Sequence, residues 1–308
     1  MALKPPVLKS GDTIGLITPG SPLDANTINA RVQYLKDLGF TIVFGRYVYS
    51  AEGITAASPE QRAEDVMNMF KNQNVKMILP TRGGTGVQSI LPHLDFEFIK
   101  KNPKIISGYS DITVLLNSLY QFSDIITFHS IMLINFRPET QPYNFNQFFE
   151  ATSTLTSPRT IQNPPNVPLR SLVPGNVTGP IIGGNLTSLV NTLGTPYEID
   201  TKGKILFLEE THTPATLLYR YLTQLVMSGK LNDCLGIIMG QCSNCPASYR
   251  TTFADLIQYM LAPLGKPLMV NLATGHGYYK AAIPIGATVN LNTTNNTLTV
   301  LEPTVSSA

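Results

Sequence analysis

The stretch Thr13-Ile14-Gly15-Leu16-Ile17-Thr18-Pro19-Gly20 decides the fold. Its apolar, β-branched run reads as a buried strand, and Pro19-Gly20 stops it. Downstream, Ile28, Val32, Leu35 and Leu38 recur at helical spacing, so the strand leads into an amphipathic helix. The unit then repeats. Thr41–Phe44 reads as a second strand, and Ser58-Pro59-Glu60-Gln61 opens a helix with an N-cap, a first-turn proline and a glutamine at the third position. Residues 75–79, 104–107 and 124–128 continue the series of strands. Strand and helix in alternation predict the α/β class, here an N-terminal doubly wound parallel sheet of the flavodoxin-like kind.

The alternation fails between Arg137 and Pro180, where eight prolines stand among Asn, Ser and Thr. This segment is expected to be a linker. Beyond it Gly183-Gly184-Asn185 opens a helix, 205–208 reads as a strand, and Thr213-Pro214 caps a helix ending near Gly229. Further strands are expected at 235–239, 268–272, 285–291 and 298–301. The expected organisation is an α/β domain over 1–136, a Pro-rich linker over 137–178 and a smaller α/β domain over 179–308, richer in β at its end. The length of 308 residues agrees with two domains at roughly 150 residues each.

Composition removes several classes of function. With 22 Lys and Arg against 20 Asp and Glu, and no block of like charge, nothing favours a nucleic-acid partner. Every apolar run breaks within a few residues, so no membrane span is expected, and Met1 to Asp12, without an apolar stretch, is not expected to act as a secretory leader. A cytoplasmic location is the default expectation. The three cysteines offer no disulfide framework. Cys242-Ser243-Asn244-Cys245 lacks the second ligand pair that zinc would need, so neither metal nor other cofactor is expected.

In doubly wound sheets chemistry sits beyond the carboxyl ends of the strands. Arg82-Gly83-Gly84-Thr85-Gly86 follows the third strand, with backbone N–H groups suited to an anion, or with a plain tight turn. Gly108-Tyr109-Ser110-Asp111 carries a serine from strand to helix. Ser110 fits either a nucleophile beside a free N–H or a helix N-cap. Four histidines are available as a base: His93, His129, His212 and His276. His276, in Thr274-Gly275-His276-Gly277 after a strand, stands out, and His129 at another strand end stays open. Glu209-Glu210 supplies carboxylates at a further strand end, completing the set Ser110, Glu209, His276.

Together these motifs resemble the LD-carboxypeptidases, cytoplasmic serine peptidases of bacterial cell-wall recycling. The likeness includes Gly11-Asp12-Thr13-Ile14-Gly15, Arg62-Ala63-Glu64-Asp65, the glycine loop, Gly108-Tyr109-Ser110-Asp111, Gly183-Gly184-Asn185-Leu186, Gly194-Thr195-Pro196-Tyr197, Leu206-Phe207-Leu208-Glu209-Glu210 and Gly275-His276-Gly277. The resemblance implies Ser110 as nucleophile, His276 as base and Glu209 as its orienting carboxylate. It also implies an oxyanion hole of the Gly84 and Asp111 backbone N–H groups, and a homodimer. Arg82 is the candidate clamp for a substrate carboxylate, with Thr85 beside it. Thr85 stands where the family commonly has Tyr, and His129-Ser130-Ile131 where it reads His-Gly-Pro. The implied reaction is cleavage of the amide before the C-terminal D-Ala of a muropeptide tetrapeptide. Two alternatives stand beside it: a microcin C-type nucleotide amidase of the same family, and a binding protein with a dead site.

Overall fold

The βα repeats of the first 130 residues build one parallel sheet. The computed structural model describes residues 2–307. Strands β1 (Thr13–Ile17), β2 (Thr41–Phe44), β3 (Val75–Pro80), β4 (Ile105–Gly108) and β5 (Thr127–His129) lie in the order 2-1-3-4-5. That is the flavodoxin-like order, and the sheet is parallel, as the alternation implies. Helices α1 (Ala25–Asp37), α2 (Pro59–Lys71), α3 (Phe96–Lys100) and α4 (Ile112–Ser123) connect them. Helix α2 starts as its sequence dictates, with Ser58 accepting from Gln61 N and the Gln61 side chain returning to Ser58 N.

The segment 137–178, expected as a linker, is built into the fold. It holds α5 (Pro142–Ser153), β6 (Arg159–Thr160) and β7 (Arg170–Val173). Pro142 does not interrupt α5, because it occupies the first turn, where no N–H is needed. Phe148 and Ala151 bury the inner face of the helix.

The second sheet has eight strands among the described residues. Its parallel centre is β8 (Asn176–Asn185), β9 (Ile205–Thr211), β10 (Gly236–Ser243) and β11 (Leu268–Leu272). β7 pairs antiparallel with β11, and β13 (Thr288–Asn292), β14 (Thr297–Val300) and β6 extend the other edge antiparallel. Helices α6 (Leu186–Val190) and α7 (Ala215–Met227) belong to this half.

The strand expected over 285–291 is in fact two. The chain turns at Gly286, where φ is +89°, and β12 (Ile283–Ile285) and β13 join different sheets. β12 pairs antiparallel with β5, so the C-terminal half completes the N-terminal sheet. Helix α4 adds a second connection: Asn117 exchanges hydrogen bonds with the Gly183 N–H and C=O, at 3.0 and 2.9 Å, and Thr113 Oγ1 accepts from Asn185 N at 3.0 Å. These bonds bring the carboxyl ends of both sheets together.

Candidate active site

The turn from β4 into α4 carries Ser110 in the left-handed region, with φ of +61°. A serine is uncommon there, and such strain gathers at functional turns. The helix cap falls on Asp111 without a side-chain bond, and Ser110 Oγ has no hydrogen-bond partner among the described residues. The N-cap reading of Ser110 is thereby set aside. The glycine loop packs against the turn, and a Cβ on Gly83 would lie 2.8 Å from Ser110 Cβ and 3.0 Å from Asp111 N. Only glycine lets the loop approach so closely.

Buried groups hold this loop. Arg62 donates from Nε to Ala57 O at 2.8 Å and from Nη1 to Pro19 O and Gly86 O, and its Nη2 bonds Ser89 Oγ at 2.9 Å. One guanidinium thus ties the ends of β1 and β3 to the start of α2. Asp111 accepts from Val87 N at 2.8 Å and from Ser188 Oγ at 3.2 Å, and burial raises its pKa. Gly84 and Thr85 are exposed, and Thr85 N donates to Ser21 Oγ at 3.1 Å.

The end of β9 splits its two carboxylates between opposite faces. Glu210 accepts from Asn185 Nδ2, Thr187 N, Thr187 Oγ1 and Thr211 N at 3.1, 2.8, 2.6 and 2.9 Å, which closes the Gly183-Gly184-Asn185 turn. Glu209 faces the other way and accepts from His276 at Nδ1, 2.8 Å, and at the backbone N, 3.2 Å. Glu209 is fully buried, while the His276 side chain keeps 19% of its surface open. Burial alone would raise the Glu209 pKa, but the hydrogen bond and charge of His276, with His129, outweigh it and hold the carboxyl below its ordinary range. With Nδ1 committed to Glu209, Nε2 of His276 is the nitrogen left for chemistry. Gly275, with φ of +69°, is required here, because a Cβ would meet the Glu209 carboxylate at 2.3 Å.

The loop bearing His276 is held from two sides. Lys280 Nζ donates to Gly275 O and Gly277 O at 2.8 and 2.5 Å and sits 4.9 Å over the Tyr109 ring. Burial lowers the Lys280 pKa to about 8. Asn144 of α5 accepts from Lys280 N at 2.7 Å. The Tyr109 ring, next in the chain to Ser110, packs edge-on against His276 with centroids 5.1 Å apart. A cleft of about 580 Å³ opens before His276, walled by Tyr109, Asn135, Arg137, Asn244 and Tyr278. Arg137 is more prominent on this wall than the sequence suggests, whereas Arg82 lies outside the wall. A slightly larger cleft of about 620 Å³ between Arg170 and Phe253 includes no residue of the Ser110, Glu209, His276 set.

His129, left open by the sequence, is fully buried at the end of β5, with Nε2 3.9 Å from Glu209 Oε1. Burial pushes its pKa down to about 4. An unfolded histidine titrates near 6.5, so the folded chain binds this proton less readily than the unfolded one between about pH 6.5 and 4. Stability is therefore expected to fall on acidification through that window, with a slope approaching about 1.4 kcal/mol per pH unit. Denaturant titrations at pH 7, 5.5 and 4.5 check this, and His129→Phe should flatten the slope. An unchanged slope in that variant would refute the assignment.

His93 and His212 are peripheral. His93 Nε2 lies 3.6 Å from Glu60 on the surface, and His212 bonds its neighbour Thr211. Against the expectation of no disulfide, the Cys242 and Cys245 sulfurs are bonded, a local link made possible where the end of β10 brings their Cα atoms within 5.6 Å. Cys234 is buried and free. Among the described residues no group of three or more His, Cys, Asp or Glu could hold a metal, and no helix is long and apolar enough to cross a membrane.

Comparison with known proteins identifies a family. The N-terminal domain model of the LD-carboxypeptidases matches residues 14–130, and their C-terminal domain model matches 178–291. The chain belongs to the LD-carboxypeptidase family. Among its relatives is the probable murein peptide carboxypeptidase of Bacillus subtilis (strain 168), 36% identical over 96% of this chain and 94% of that protein. The muramoyltetrapeptide carboxypeptidase structure from Oxalobacter formigenes aligns with a TM-score of 0.83 at 26% identity, over 93% of this chain and 97% of that one. The microcin C7 self-immunity protein MccF, in complex with aspartyl sulfamoyl adenosine, shares the fold with a TM-score of 0.92 at 24% identity, over 99% and 100% of the two chains. The family is one of peptidases, and in this chain Glu209 and His276 stand hydrogen-bonded at 2.8 Å. Lys280, Asn144 and Arg137 escape sequence reasoning because their roles arise only from contacts across the fold.

Proposed function

We propose that this LD-carboxypeptidase family member is a serine peptidase that hydrolyses the L,D amide before the C-terminal D-Ala of muropeptide tetrapeptides. The observation that carries the reading is the buried Glu209 carboxylate on His276 Nδ1, with Tyr109, next in the chain to the strained Ser110, packed edge-on against His276. Ser110 Oγ attacks the scissile carbonyl while His276 Nε2 takes its proton. Glu209 stabilises the imidazolium that forms, and the Asp111 and Gly84 N–H groups receive the oxyanion. The tetrahedral intermediate collapses to an acyl-enzyme, and His276 returns the proton to the leaving amine of D-Ala. A water, deprotonated by the same histidine, then releases the tripeptide.

A muropeptide brings free carboxylates, for which Arg137 on the cleft wall and Arg82 beside the glycine loop are the candidate partners. The reading extends to a cytoplasmic homodimer with the serine in the N-terminal domain and the Glu–His pair in the C-terminal one. The test compares kcat/KM of the purified protein on three substrates: a tetrapeptide ending in D-Ala, its L-Ala counterpart and a microcin C-type aminoacyl nucleotide. Release of D-Ala well ahead of both other reactions is expected. Preference for the nucleotide would reassign the enzyme to the amidase branch, and equal rates on the two peptides would remove the L,D specificity.

A further inference from the structure

His129 and Glu209 each present a polar atom that nothing else satisfies. Both side chains are fully buried, and His129 Nε2 and Glu209 Oε1 lie 3.9 Å apart with no hydrogen-bond partner among the described residues. Buried polar atoms are rarely left unpaired, so two such atoms facing one another call for an explanation. The gap is wider than a direct hydrogen bond, yet a water joining them by two bonds of about 2.8 Å would ordinarily hold them further apart.

Thr274 decides which hydrogen faces the carboxylate. Its single hydroxyl proton lies between two acceptors, with Oγ1 3.3 Å from His129 Nδ1 and 2.9 Å from Ala281 O. When that proton goes to Ala281, Nδ1 carries the ring hydrogen of the neutral imidazole and a lone pair on Nε2 opposes Glu209. When it turns to Nδ1, the ring hydrogen sits on Nε2 and points at Glu209. The anionic carboxylate favours the second arrangement. The Phe207 ring packs edge-on against the imidazole at 4.9 Å between centroids and restricts its reorientation.

We propose that His129 is a positioning residue for the catalytic carboxylate: with its hydrogen on Nε2 it closes onto Glu209 Oε1 and keeps Oε2 on His276 Nδ1. The order of bonds runs from Thr274 to His129, from His129 to Glu209, and from His276 to the second oxygen of the same carboxylate. Fixing one oxygen prevents the carboxylate from rotating as positive charge develops on His276. His129 must stay neutral for this, because a second cation would compete with the imidazolium for Glu209. The inference rests on Ser110, Glu209 and His276 acting as proposed above.

The test compares His129→Phe with His129→Gln, whose amide nitrogen can occupy the place of Nε2. Two readouts are taken: kcat and KM on the D-Ala tetrapeptide, and the far-downfield proton resonance of His276 Nδ1–H, which needs no substrate. The Phe variant is expected to lose roughly ten- to a hundredfold in kcat with KM within about twofold, and to shift or broaden the resonance. The Gln variant should keep most of both. If the Phe variant fails to fold, His129→Asn, whose amide replaces Nδ1 instead, takes its place and should behave as the Phe variant would. Wild-type kcat and resonance in either of these variants overturn the proposal, as does a Gln variant equally impaired at equal stability. Should the wild-type protein neither cleave the peptide nor react with a fluorophosphonate, the functional reading fails, and the resonance still decides the His129–Glu209 contact.

Discussion

Ser110→Ala is expected to lower turnover by on the order of a million-fold, the usual cost of removing the nucleophile from a serine triad. The fold should survive. Among the described residues Ser110 Oγ has no hydrogen-bond partner, and alanine keeps the same Cβ in the same left-handed turn, so no packing is given up. Residual hydrolysis would come from the oxyanion donors and from substrate binding alone. The measurement pairs kcat on the D-Ala tetrapeptide with thermal unfolding. Wild-type turnover in a Ser110→Ala protein of unchanged stability would end the serine-peptidase reading.

Glu209→Gln should be nearly as damaging, about ten-thousand-fold in kcat. The amide can rotate its NH2 toward His276 Nδ1, which favours the wrong tautomer, and it no longer balances the imidazolium. Glu210→Gln should behave in the opposite way. Its carboxylate accepts four hydrogen bonds from the Asn185 turn and from Thr211, and an amide with one oxygen cannot accept them all. The expected cost is about 1–3 kcal/mol of stability, with turnover of the folded fraction largely retained. Measuring kcat and denaturant midpoint for both variants separates chemistry from support, and a larger kcat loss in folded Glu210→Gln would exchange the two roles.

What was legible in the sequence was local. The β1 run, the helical spacing of Ile28, Val32 and Leu35, and the Ser58 capping box each depend on residues a few positions apart, so the parallel, helix-flanked sheet follows from its own repeats, whereas its 2-1-3-4-5 order does not. The alternation of side chains along a strand already implied that Glu209 and Glu210 point to opposite faces. What was not legible depends on distant partners. The prolines of 137–178 signal a linker, yet Pro142 starts a helix whose Asn144 reaches Lys280. Gly286 looks like an interior residue of one strand until β12 finds β5, more than 150 positions earlier in the chain. The Cys242–Cys245 bond likewise depends on how β10 turns at its end.

The pairing of β12 with β5 has a consequence for how the enzyme meets its substrate. Ile283 sits opposite His129, only a few residues beyond the His276 loop, so the strand bearing one histidine is bonded to the segment that follows the other. The two halves of the chain are therefore joined along a shared sheet edge. Enzymes that assemble their catalytic groups by domain closure spend part of the substrate's binding energy on that movement. Here β12 and β5 already join the two halves, and on the proposed reading that energy stays available for recognising the peptide and for the transition state.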